Sequence, residues 1–415
     1  MSRLSGAPRR IVVVGASLAG VRAVETARRL GHRGPLTLIG AEEHLPYDRP
    51  PLSKEFIGGS VVTGPPHLMD QRQLIDGLGV TVRLGAAATA LDVDQQVVEV
   101  DDMPVAYDAL LIATGAQART LPGTEGLGGV HTLRTLDDAA AIRAALDTGA
   151  RTVVIGAGFI GSEVASAARR RGLPVTIVEA QATPLVRAVG EQAGRALAAL
   201  HVRHGTDLRC GVGVAGLVGH ERVEGVALTD GTVLPADLVV VGIGAAPVTA
   251  WLESSTLALD DGVVCDETLA AAPGVWAAGD VARWHHPDLG VALRLEHWTN
   301  AGDQASHAAR NMLEPANATG YRHVPYFWSD WYRQRIQFAG LPDGHPQIVH
   351  GDWESDAFTA LFRQGDRLTG ALTLNRRGDI MKYRALISRG GSWDEARELA
   401  ARRNAMTRST PVRVA

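Results

Sequence analysis

Two glycine-rich loops in the chain have residue types and spacing suited to binding a dinucleotide. One has all three glycines between a β-branched run and a helical stretch, and the other has serine at the middle position. The glycines allow a tight turn, a close approach of the pyrophosphate to backbone N–H groups and close packing of helix on strand. The helix dipole adds to phosphate binding. The predicted loop residues are Gly15, Ser17, Ala19 and Gly20 in the first loop, and Gly156, Gly158, Phe159, Ile160 and Gly161 in the second.

An acidic side chain follows each loop at the distance expected for a ribose partner. Glu179, 18 residues past Gly161, can accept hydrogen bonds from a ribose 2′-hydroxyl and repel a 2′-phosphate, which favours NADH over NADPH. The nearby Arg187 keeps NADPH open as an alternative. In the first unit Glu42 is the predicted ribose partner, and Glu43 remains possible because the loop could differ by one residue.

Each loop belongs to a strand-loop-helix-strand unit, which predicts an internal duplication of a nucleotide-binding domain. The first glycines of the two loops are 141 residues apart. From Tyr321 the chain changes to aromatic and arginine-rich strands, which predict a third, α+β domain. The predicted strands are Ile11–Val14, Leu36–Ile39, Thr152–Ile155 and Val175–Val178, with β-rich stretches at 97–112 and 223–241, a turn at Asp230-Gly231 and a last helix at 393–403.

Two further strand ends extend the pattern to a flavoprotein. One strand ends in Ala113-Thr114-Gly115, and another ends in Gly279-Asp280. Together with the two loops they resemble the two-dinucleotide-domain flavoprotein reductases, a resemblance that implies that Asp280 holds the ribityl chain of FAD. The predicted fold class is α/β, with two Rossmann-like FAD- and NAD-binding domains of glutathione-reductase type and a C-terminal α+β domain. The predicted limits are 1–116 and 248–320 for the FAD domain, 117–247 for the NAD domain and 321–415 for the C-terminal domain, which covers the flavin and forms the partner interface.

The segment from Pro46 to Lys54 contains no cysteine, although disulfide reductases of this superfamily carry a cysteine pair in the corresponding region. Disulfide reductases are therefore excluded. Single-cysteine peroxidases and oxidases lose support for the same reason, because Cys210 and Cys265 lie elsewhere in the sequence.

Three longer strings narrow the resemblance to one family. They are Tyr47-Asp48-Arg49-Pro50-Pro51-Leu52-Ser53-Lys54, Glu296-His297-Trp298-Thr299-Asn300 and Val324-Pro325-Tyr326-Phe327-Trp328-Ser329-Asp330. With them the chain resembles the bacterial NADH-dependent ferredoxin reductases over nearly its whole length. The resemblance implies that Arg49 and Lys54 lie along the flavin and that Trp298 and Trp328 lie close to its ring. Trp331 departs from the family pattern and could alter the partner-facing surface.

The resemblance also implies roles for the predicted site residues. Glu163 is the expected ion-pair partner of Lys54, because a lysine left unpaired near a dry ring would be costly. A helix predicted after Thr299-Asn300 would stabilise the negative charge of reduced flavin. Core packing is the alternative fate of the tryptophans. The predicted catalytic residues are Lys54, Glu163 and Trp328, and the remaining predicted cofactor-binding residues are Gly244, Glu296 and His297.

The implied activity is transfer of a hydride from NADH to flavin N5, followed by single-electron transfer to a [2Fe-2S] ferredoxin that feeds a cytochrome monooxygenase or a ring dioxygenase. The net charge of −4 is too small for general attraction to nucleic acid or membrane. From Tyr321 onward, fifteen basic residues outnumber ten acidic ones. An acidic ferredoxin could therefore dock on some of Arg310, Arg333, Arg335, Arg376, Arg377 and Lys382. A rubredoxin reductase and an NADH-sensing flavoprotein of apoptosis-inducing-factor type remain alternatives.

Two cysteines favour a reducing cytoplasm and exclude a disulfide framework. Arg9-Arg10 is similar to a twin-arginine signal, but only four apolar residues precede Gly15. The fourteen histidines have no spacing typical of a metal site and are interpreted as loop and surface residues.

Overall fold

A computed structural model of the chain describes residues 8–59, 66–124 and 126–408. The strands are β1 (Ile11–Val14), β2 (Leu36–Ile39), β3 (Thr81–Arg83), β4 (Ala88–Asp92), β5 (Val97–Val100), β6 (Met103–Ala106), β7 (Ala109–Ile112), β8 (Ala116–Ala118), β9 (Val130–His131), β10 (Thr152–Ile155), β11 (Val175–Glu179), β12 (Asp207–Cys210), β13 (Val214–Gly219), β14 (Val223–Leu228), β15 (Val233–Pro235), β16 (Leu238–Val241), β17 (Ala245–Pro247), β18 (Val263–Cys265), β19 (Ala270–Ala272), β20 (Val275–Ala277), β21 (Ala282–His286), β22 (Val291–Arg294), β23 (Tyr326–Trp331), β24 (Gln334–Gly340), β25 (Gln347–His350), β26 (Phe358–Gln364) and β27 (Arg367–Leu374).

The α-helices are α1 (Leu18–Arg29), α2 (Leu136–Asp147), α3 (Phe159–Arg170), α4 (Val186–Val189), α5 (Glu191–Arg203), α6 (Trp298–Leu313), α7 (Arg377–Ser388) and α8 (Trp393–Arg408). Two short π-helical segments lie at Leu52–Phe56 and Gln73–Gly77, and two 3₁₀ turns lie at Ala250–Leu252 and Pro315–Asn317. The chain forms two compact units, and the described residues of the first are 8–50, 66–117 and 245–323. Those of the second are 51–59, 118–124, 126–244 and 324–408.

The first unit is built on a six-stranded sheet in the order β19-β20-β7-β1-β2-β3. Its strands run parallel except for the β19–β20 pair. All four residues of β1 and of β7 are buried, as expected for central parallel strands covered on both faces. Val14 is in register with Ile39 on one side and Ile112 on the other, so that the loops following these strands meet at one edge of the sheet.

The second unit repeats this plan and adds an antiparallel sheet. Its parallel sheet has the order β12-β11-β10-β16-β9, and β13, β14 and β15 form an antiparallel meander with a turn at Asp230-Gly231. The C-terminal part is an antiparallel sheet in the order β23-β24-β27-β26-β25, against which α7 packs. The predicted duplication and the predicted α+β character of the C-terminal part are therefore confirmed. The predicted domain limits stay predictions.

A turn of unusual composition joins β23 to β24. Both of its central residues, Tyr332 and Arg333, have positive φ, at 51° and 69°. Hairpin turns of this geometry normally contain Asn and Gly, because other side chains are strained there. Long-range contacts hold Tyr332 in place: its hydroxyl is hydrogen-bonded to His201 Nδ1 at 2.7 Å, and its backbone N–H donates to Ser166 Oγ at 2.6 Å.

Several element limits differ from the sequence-based expectation. The last helix continues to Arg408 instead of Arg403, and β11 includes Glu179. Helix α6 begins at Trp298, so that Thr299 and Asn300 lie in its first turn instead of preceding it.

The interpretation of the histidines as loop and surface residues is wrong for several of them. His201 lies in α5 with no exposed surface, and His286 in β21 and His323 are also buried. Each has a polar partner that offsets the cost of burying the ring. His201 contacts Tyr332, His286 Nε2 lies 3.1 Å from the His323 carbonyl oxygen, and His323 Nδ1 lies 3.5 Å from Asp303.

Candidate functional site

The first glycine loop closes tightly on the strand ends of the first unit. Gly15 has a φ of 119°, and a Cβ there would lie 2.0 Å from the Ala113 carbonyl oxygen. A Cβ on Gly20 would lie 1.9 Å from the Gly15 carbonyl oxygen. Both glycines are therefore required by the backbone itself. Ser17, at the middle position, is the N-cap residue of α1, and its hydroxyl accepts a hydrogen bond from Arg49 Nε at 3.4 Å.

In the second loop, two glycines are required by the backbone, and the third leaves open space. A Cβ on Gly156, whose φ is 99°, would lie 2.4 Å from the Gly242 carbonyl oxygen, and one on Gly161 would lie 2.3 Å from the Gly156 carbonyl oxygen. At Gly158 the nearest atom would be the Gly242 carbonyl oxygen at 3.7 Å, which is an ordinary contact. The fold leaves this space open at the start of α3, where a pyrophosphate would approach the backbone.

The starts of α1 and α3 fit a phosphate group. The N-cap residue of α1, Ser17, makes no capping hydrogen bond with its side chain, and that of α3, Gly158, has no side chain to make one. The first turn of each helix contains no acidic residue. By contrast, α2 has a complete capping box formed by Thr135 and Asp138. The first N–H groups of a helix have no intrahelical partner, so that an end without a side-chain cap can take an anion. Both helix starts thus have N–H groups available for a phosphate group.

The two predicted ribose partners lie beside their loops. Glu179 accepts hydrogen bonds from the backbone N–H groups of Ala157 and Gln181, both at 2.9 Å, which holds its carboxylate against the second loop. In the first unit, Glu42 accepts a hydrogen bond from the Tyr47 hydroxyl at 2.5 Å and forms an ion pair with Arg49. Glu42 therefore contacts a predicted site residue, whereas Glu43 is exposed.

The strand ends of the first unit bring further predicted residues to the same edge. Thr114, which follows β7 between Ala113 and Gly115, donates its hydroxyl to the Val248 carbonyl oxygen at 2.9 Å. The Gly279 N–H donates to Gln304 Oε1 at 2.8 Å, and a Cβ on Gly279 would lie 3.3 Å from Ala19 Cβ. The half-buried Asp280 follows directly, and its contact with a ribityl chain stays a prediction.

The string from Glu296 to Trp298 leads into α6. Trp298 is 37% exposed, and its indole Nε1 donates to Asp48 Oδ1 at 2.6 Å. Glu296 is exposed and forms an ion pair with Arg294 at 2.8 Å. Burial, together with the charge of His323, lowers the pKa of His297 to about 4, so that this N-cap residue of α6 is neutral at pH 7.

Lys54 and Glu163 form the ion pair that the sequence predicts. Lys54 Nζ lies 2.8 Å from Glu163 Oε2, within the ~4 Å limit for an ion pair. The Glu163 side chain is 3% exposed and that of Lys54 is 16% exposed. The Ser53 hydroxyl donates to the same carboxylate oxygen. The short π-helical segment Leu52–Phe56 supplies both donors, and α3 supplies the carboxylate just past the second glycine loop.

The other oxygen of Glu163 is held by β23. Ser329 Oγ donates to Glu163 Oε1 at 2.5 Å, and the Asp330 backbone N–H donates to it at 3.2 Å. Burial raises the pKa of Asp330, with the positive charges of Arg335 and Lys54 acting in the opposite direction. The sequence analysis missed Ser53 and Ser329 as site residues. Their signal was their place inside two of the strings that carry the family resemblance.

Trp328 lies on the opposite face of β23 from Ser329, because side chains alternate along a strand. Its ring is half-buried, at 6.2 Å from the Tyr326 ring and 5.9 Å from the Arg335 guanidinium carbon. Gly244, which follows β16, is exposed with a φ of 102°, and this backbone conformation favours glycine.

Trp331 does not contribute to a partner-facing surface, so that expectation is wrong. The residue is 1% exposed because the alternation of β23 places it on the same face as Ser329, where it packs in the core with residues of α5. Its ring stacks on His201 with the centroids 5.0 Å apart, and its Nε1 donates to Ser329 Oγ at 2.8 Å. Burial lowers the pKa of His201 to about 4, so this stack pairs an indole with a neutral imidazole.

Both cysteines are free thiols outside the Pro46–Lys54 segment. Cys210 ends β12 beside Glu179, and Cys265 is buried at the end of β18, where burial raises the pKa of its thiol to about 12. The described residues contain no group of three or more His, Cys, Asp or Glu side chains able to hold a metal ion. Within the described ranges, the structure has no helix with the length and apolarity needed to cross a bilayer.

Comparisons with known proteins agree with this geometry along the chain. A family model described as pyridine nucleotide-disulphide oxidoreductase matches residues 9–305, and one described as reductase C-terminal matches residues 326–408. The chain is 37% identical to rhodocoxin reductase of Rhodococcus erythropolis over 388 residues, which cover 91% of this chain and 89% of that protein. It is 35% identical to the ferredoxin–NAD(+) reductase component of the p-cumate 2,3-dioxygenase system of Pseudomonas putida over 393 residues, or 94% and 95% of the two proteins.

A solved structure is similar over the same span. A chain in the crystal structure of the covalent putidaredoxin reductase–putidaredoxin complex matches with a TM-score of 0.87 and 32% identity, covering 93% of this chain and 94% of that chain. The predicted family resemblance and the predicted fold class are confirmed. The chain belongs to the pyridine nucleotide-disulphide oxidoreductase family, in the group of ferredoxin reductases that carry a reductase C-terminal domain.

Proposed function

We propose that the chain is an FAD-dependent oxidoreductase that takes electrons from NADH and delivers them to a [2Fe-2S] ferredoxin serving a cytochrome monooxygenase or a ring dioxygenase. When bound, FAD supplies the conversion of one hydride into two single-electron transfers, which an iron–sulfur cluster requires. Relatives named as ferredoxin–NAD(+) reductase components of dioxygenase systems, and the putidaredoxin reductase–putidaredoxin complex, support this acceptor.

The observation that carries the proposal is the Lys54–Glu163 pair in the place where disulfide reductases have redox cysteines. Lys54, at the end of this segment, forms an ion pair with Glu163 of α3, and both cysteines of the chain lie elsewhere, in β12 and β18. A thiol acceptor is thus missing from this position within the described residues. In the proposed reaction the electrons leave for a separate carrier, and a ferredoxin fits the group to which the chain belongs.

The residues of the two loops bind and orient the dinucleotides. The uncapped starts of α1 and α3 bind the two pyrophosphates through backbone N–H groups. Glu42 and Glu179 hold the adenosine riboses, and Glu179 repels the 2′-phosphate of NADPH. Asp280 holds the ribityl chain, with Ala113, Thr114 and Gly115 shaping the strand end beneath it.

The charged and aromatic residues tune and cover the reacting ring. Lys54, fixed by Glu163, supplies a positive charge that stabilises electron density on the reduced ring, and the start of α6 adds its dipole. The family resemblance implies that Arg49 also lies along the flavin. Trp298 and Trp328 exclude water from the ring.

The test is NADH-driven reduction of cytochrome c by the purified protein, with and without an added [2Fe-2S] ferredoxin. We expect strong dependence on ferredoxin and a much lower rate with NADPH. Rubredoxin in place of ferredoxin tests the other one-electron carrier. If no carrier raises the rate while NADH still bleaches the flavin, the acceptor assignment fails. An accompanying NADH-dependent change in oligomeric state would then favour the sensing alternative.

The docking surface for the ferredoxin is the finer part of the proposal. Arg333 and Arg377 are exposed in the second unit, and so is Lys382 on α7; Arg310 is exposed on α6 of the first unit. The remaining two arginines have internal partners. Arg335 forms an ion pair with Asp330 at 2.8 Å, and the Arg376 side chain is 9% exposed and pairs with Asp379 at 2.7 Å. The proposal is therefore narrowed to the four exposed cations.

Charge reversal at Arg377 tests this surface. The Arg377→Glu variant should raise the KM for ferredoxin several-fold and weaken its dependence on ionic strength, because steering by opposite charges is screened by salt. Bleaching of the flavin by NADH should be unchanged. Arg72→Glu, at another exposed position, is the matched control. Equal effects of the two reversals would remove Arg377 from the docking surface.

We place the reaction in the cytoplasm, since both cysteines are free thiols.

A further inference from the structure

The indole of Trp331 is positioned to fix the direction of a neighbouring hydroxyl proton. Trp331 Nε1 lies 2.8 Å from Ser329 Oγ. An indole N–H can only donate, so the serine oxygen must accept this hydrogen bond. Ser329 has one proton of its own, and Glu163 Oε1 lies 2.5 Å away as its acceptor. The three groups form a directed chain from indole to hydroxyl to carboxylate.

This series of hydrogen bonds ends on the carboxylate that pairs with Lys54. Ser53 and Lys54 donate to Glu163 Oε2, while Ser329 and the Asp330 backbone N–H donate to Oε1. Each oxygen therefore receives two donors, which matches the acceptor capacity of an ionised carboxylate. A carboxylate held on both oxygens cannot rotate to release one donor without breaking hydrogen bonds at the other.

The hydrogen bonds of Trp331 and Ser329 lie in a buried site, where their direction affects their strength. Trp331 is 1% exposed and Ser329 has no exposed surface, so water does not compete for their polar atoms. Hydrogen bonds in such a low-dielectric site polarise one another, and a chain of them is stronger than its separate links. The stack on His201, with centroids 5.0 Å apart, fixes the plane of the indole and hence the direction of its N–H.

We propose that Trp331 is a positioning residue for electron transfer in this protein. Its N–H keeps the Ser329 hydroxyl donating to Glu163, and this fixed carboxylate keeps the Lys54 cation in one place. The inference rests on the proposed function, in which Lys54 acts beside the flavin. It assigns a specific role to a tryptophan that departs from the family pattern and that is buried in the core.

The first test is the Trp331→Phe variant, which removes the N–H but keeps an aromatic ring. Its matched control is Trp284→Phe. Trp284 is also fully buried and packs against an aromatic ring, but its Nε1 makes no hydrogen bond within the described part of the chain. In stopped-flow bleaching of the flavin by NADH, Trp331→Phe should lower the limiting rate about fivefold, the equivalent of one ordinary hydrogen bond. The NADH concentration for half-saturation should stay the same, and Trp284→Phe should keep the wild-type rate.

A double-mutant cycle tests whether Trp331 acts through Ser329. Ser329→Ala should lower the bleaching rate at least as much as Trp331→Phe, and adding Trp331→Phe to it should change nothing further. Ser53→Ala removes a donor to the other carboxylate oxygen, so on that background Trp331→Phe should keep its full effect. Additive effects of Trp331 and Ser329 would overturn the inference.

A readout independent of activity comes from the indole N–H signals of the eight tryptophans in an NMR spectrum of nitrogen-labelled protein. The signal lost in Trp331→Phe should be the one that shifts most in Ser329→Ala. An unshifted signal would mean that the hydrogen bond is not formed. If NADH fails to bleach the flavin of the wild-type protein, the proposed function fails. If the wild type is bleached and Trp331→Phe is unchanged, only this inference fails.

Discussion

Glu163 is an anion that the fold has buried and then surrounded with donors. Its partner Lys54 is also largely buried, so the removal of one charge leaves the other without compensation. We expect Glu163→Gln to lower the free energy of unfolding by about 2–4 kcal/mol, less than for a fully buried pair because Lys54 keeps some contact with water. The same variant should slow NADH-dependent bleaching of the flavin. Urea denaturation and stopped-flow spectroscopy measure the two effects.

The control is the same substitution in a surface ion pair. Glu25 pairs with Arg22 at 2.8 Å, and their side chains are 31% and 44% exposed, far more than those of Lys54 and Glu163. Glu25→Gln should change the free energy of unfolding by less than about 0.5 kcal/mol and leave the bleaching rate alone. A similar loss of stability in the two variants would mean that the Lys54–Glu163 pair acts as an ordinary surface contact.

Glu179 offers a test of cofactor choice at a single carboxylate. Its two oxygens accept the backbone N–H groups of Ala157 in the second loop and of Gln181 after β11. A glutamine has one acceptor oxygen, so Glu179→Gln can keep the hydrogen bond from Ala157 while the negative charge is removed. The ratio of kcat/KM for NADH to that for NADPH should fall about tenfold or more, which corresponds to ~1.4 kcal/mol. Steady-state kinetics with both nucleotides measures it. If the exposed Arg187 contacts the 2′-phosphate, adding Arg187→Ala should reverse the gain with NADPH.

At the scale of elements, two glycines of the second loop have different roles: Gly156 is needed for the fold, and Gly158 leaves space for the nucleotide. Gly158→Ala should keep the free energy of unfolding within about 1 kcal/mol, because its φ of −71° suits alanine and the new Cβ meets only an ordinary contact. NADH affinity should fall sharply, since that Cβ points into the space left for the pyrophosphate. Gly156→Ala should instead destabilise the protein, because the Cβ clashes with the Gly242 carbonyl oxygen at a positive φ. Thermal unfolding and NADH titration distinguish the two. Equal losses of stability would contradict this division.

The elements that the sequence predicted well are those with a strong local pattern. β1 and β10 are continuous runs of buried β-branched residues, and each is followed directly by its glycine loop. The Lys54–Glu163 pair could also be anticipated, because the family resemblance pointed to it. The contacts of Ser53 and Ser329 with Glu163 join segments more than a hundred residues apart. The sequence signal for the two serines is their position inside strings that carry the family resemblance, and that signal does not specify the contacts.

Burial of single polar or aromatic residues was the harder part to predict. Trp331 looked like a surface residue until the alternation of β23 placed it on the inner face. His201 looked like an ordinary surface histidine, but Tyr332 and Ser162 hydrogen-bond both of its ring nitrogens and allow it to be buried. Whether a side chain is exposed depends on partners that only the folded chain brings together.

At the scale of the whole molecule, histidines with a lowered pKa make stability depend on pH. Loss of contact with water is the largest cause of a lowered pKa at five histidines of the described residues: His32, His131, His201, His286 and His297. In the unfolded chain a histidine binds its proton near pH 6.5, but His201 in the folded protein does so only near pH 4. The unfolded state therefore binds more protons as the pH falls between these values, and the folded state loses stability.

We expect the free energy of unfolding to decrease as the pH is lowered from 6.5 toward 4, with His201 alone contributing up to about 3 kcal/mol. Urea denaturation at a series of pH values measures the slope. His201→Gln should remove the contribution of His201 to the slope of the free energy of unfolding against pH. His285→Gln, at an exposed position of β21, should leave this slope unchanged. A slope that is the same in all three proteins would show that His201 titrates as it does in the unfolded chain.

The turn at Tyr332-Arg333 bears on the order in which the chain can fold. Two successive left-handed residues without glycine or asparagine do not favour a hairpin on their own, so β23 and β24 have little local reason to pair. What holds Tyr332 is a pocket formed by His201, Ser166 and Thr206. Pairing of β23 with β24 is therefore favoured once α3 and α5 have formed that pocket. Late synthesis of the C-terminal part suits this order, and residues 324–408 expressed alone would lack the template for their first turn.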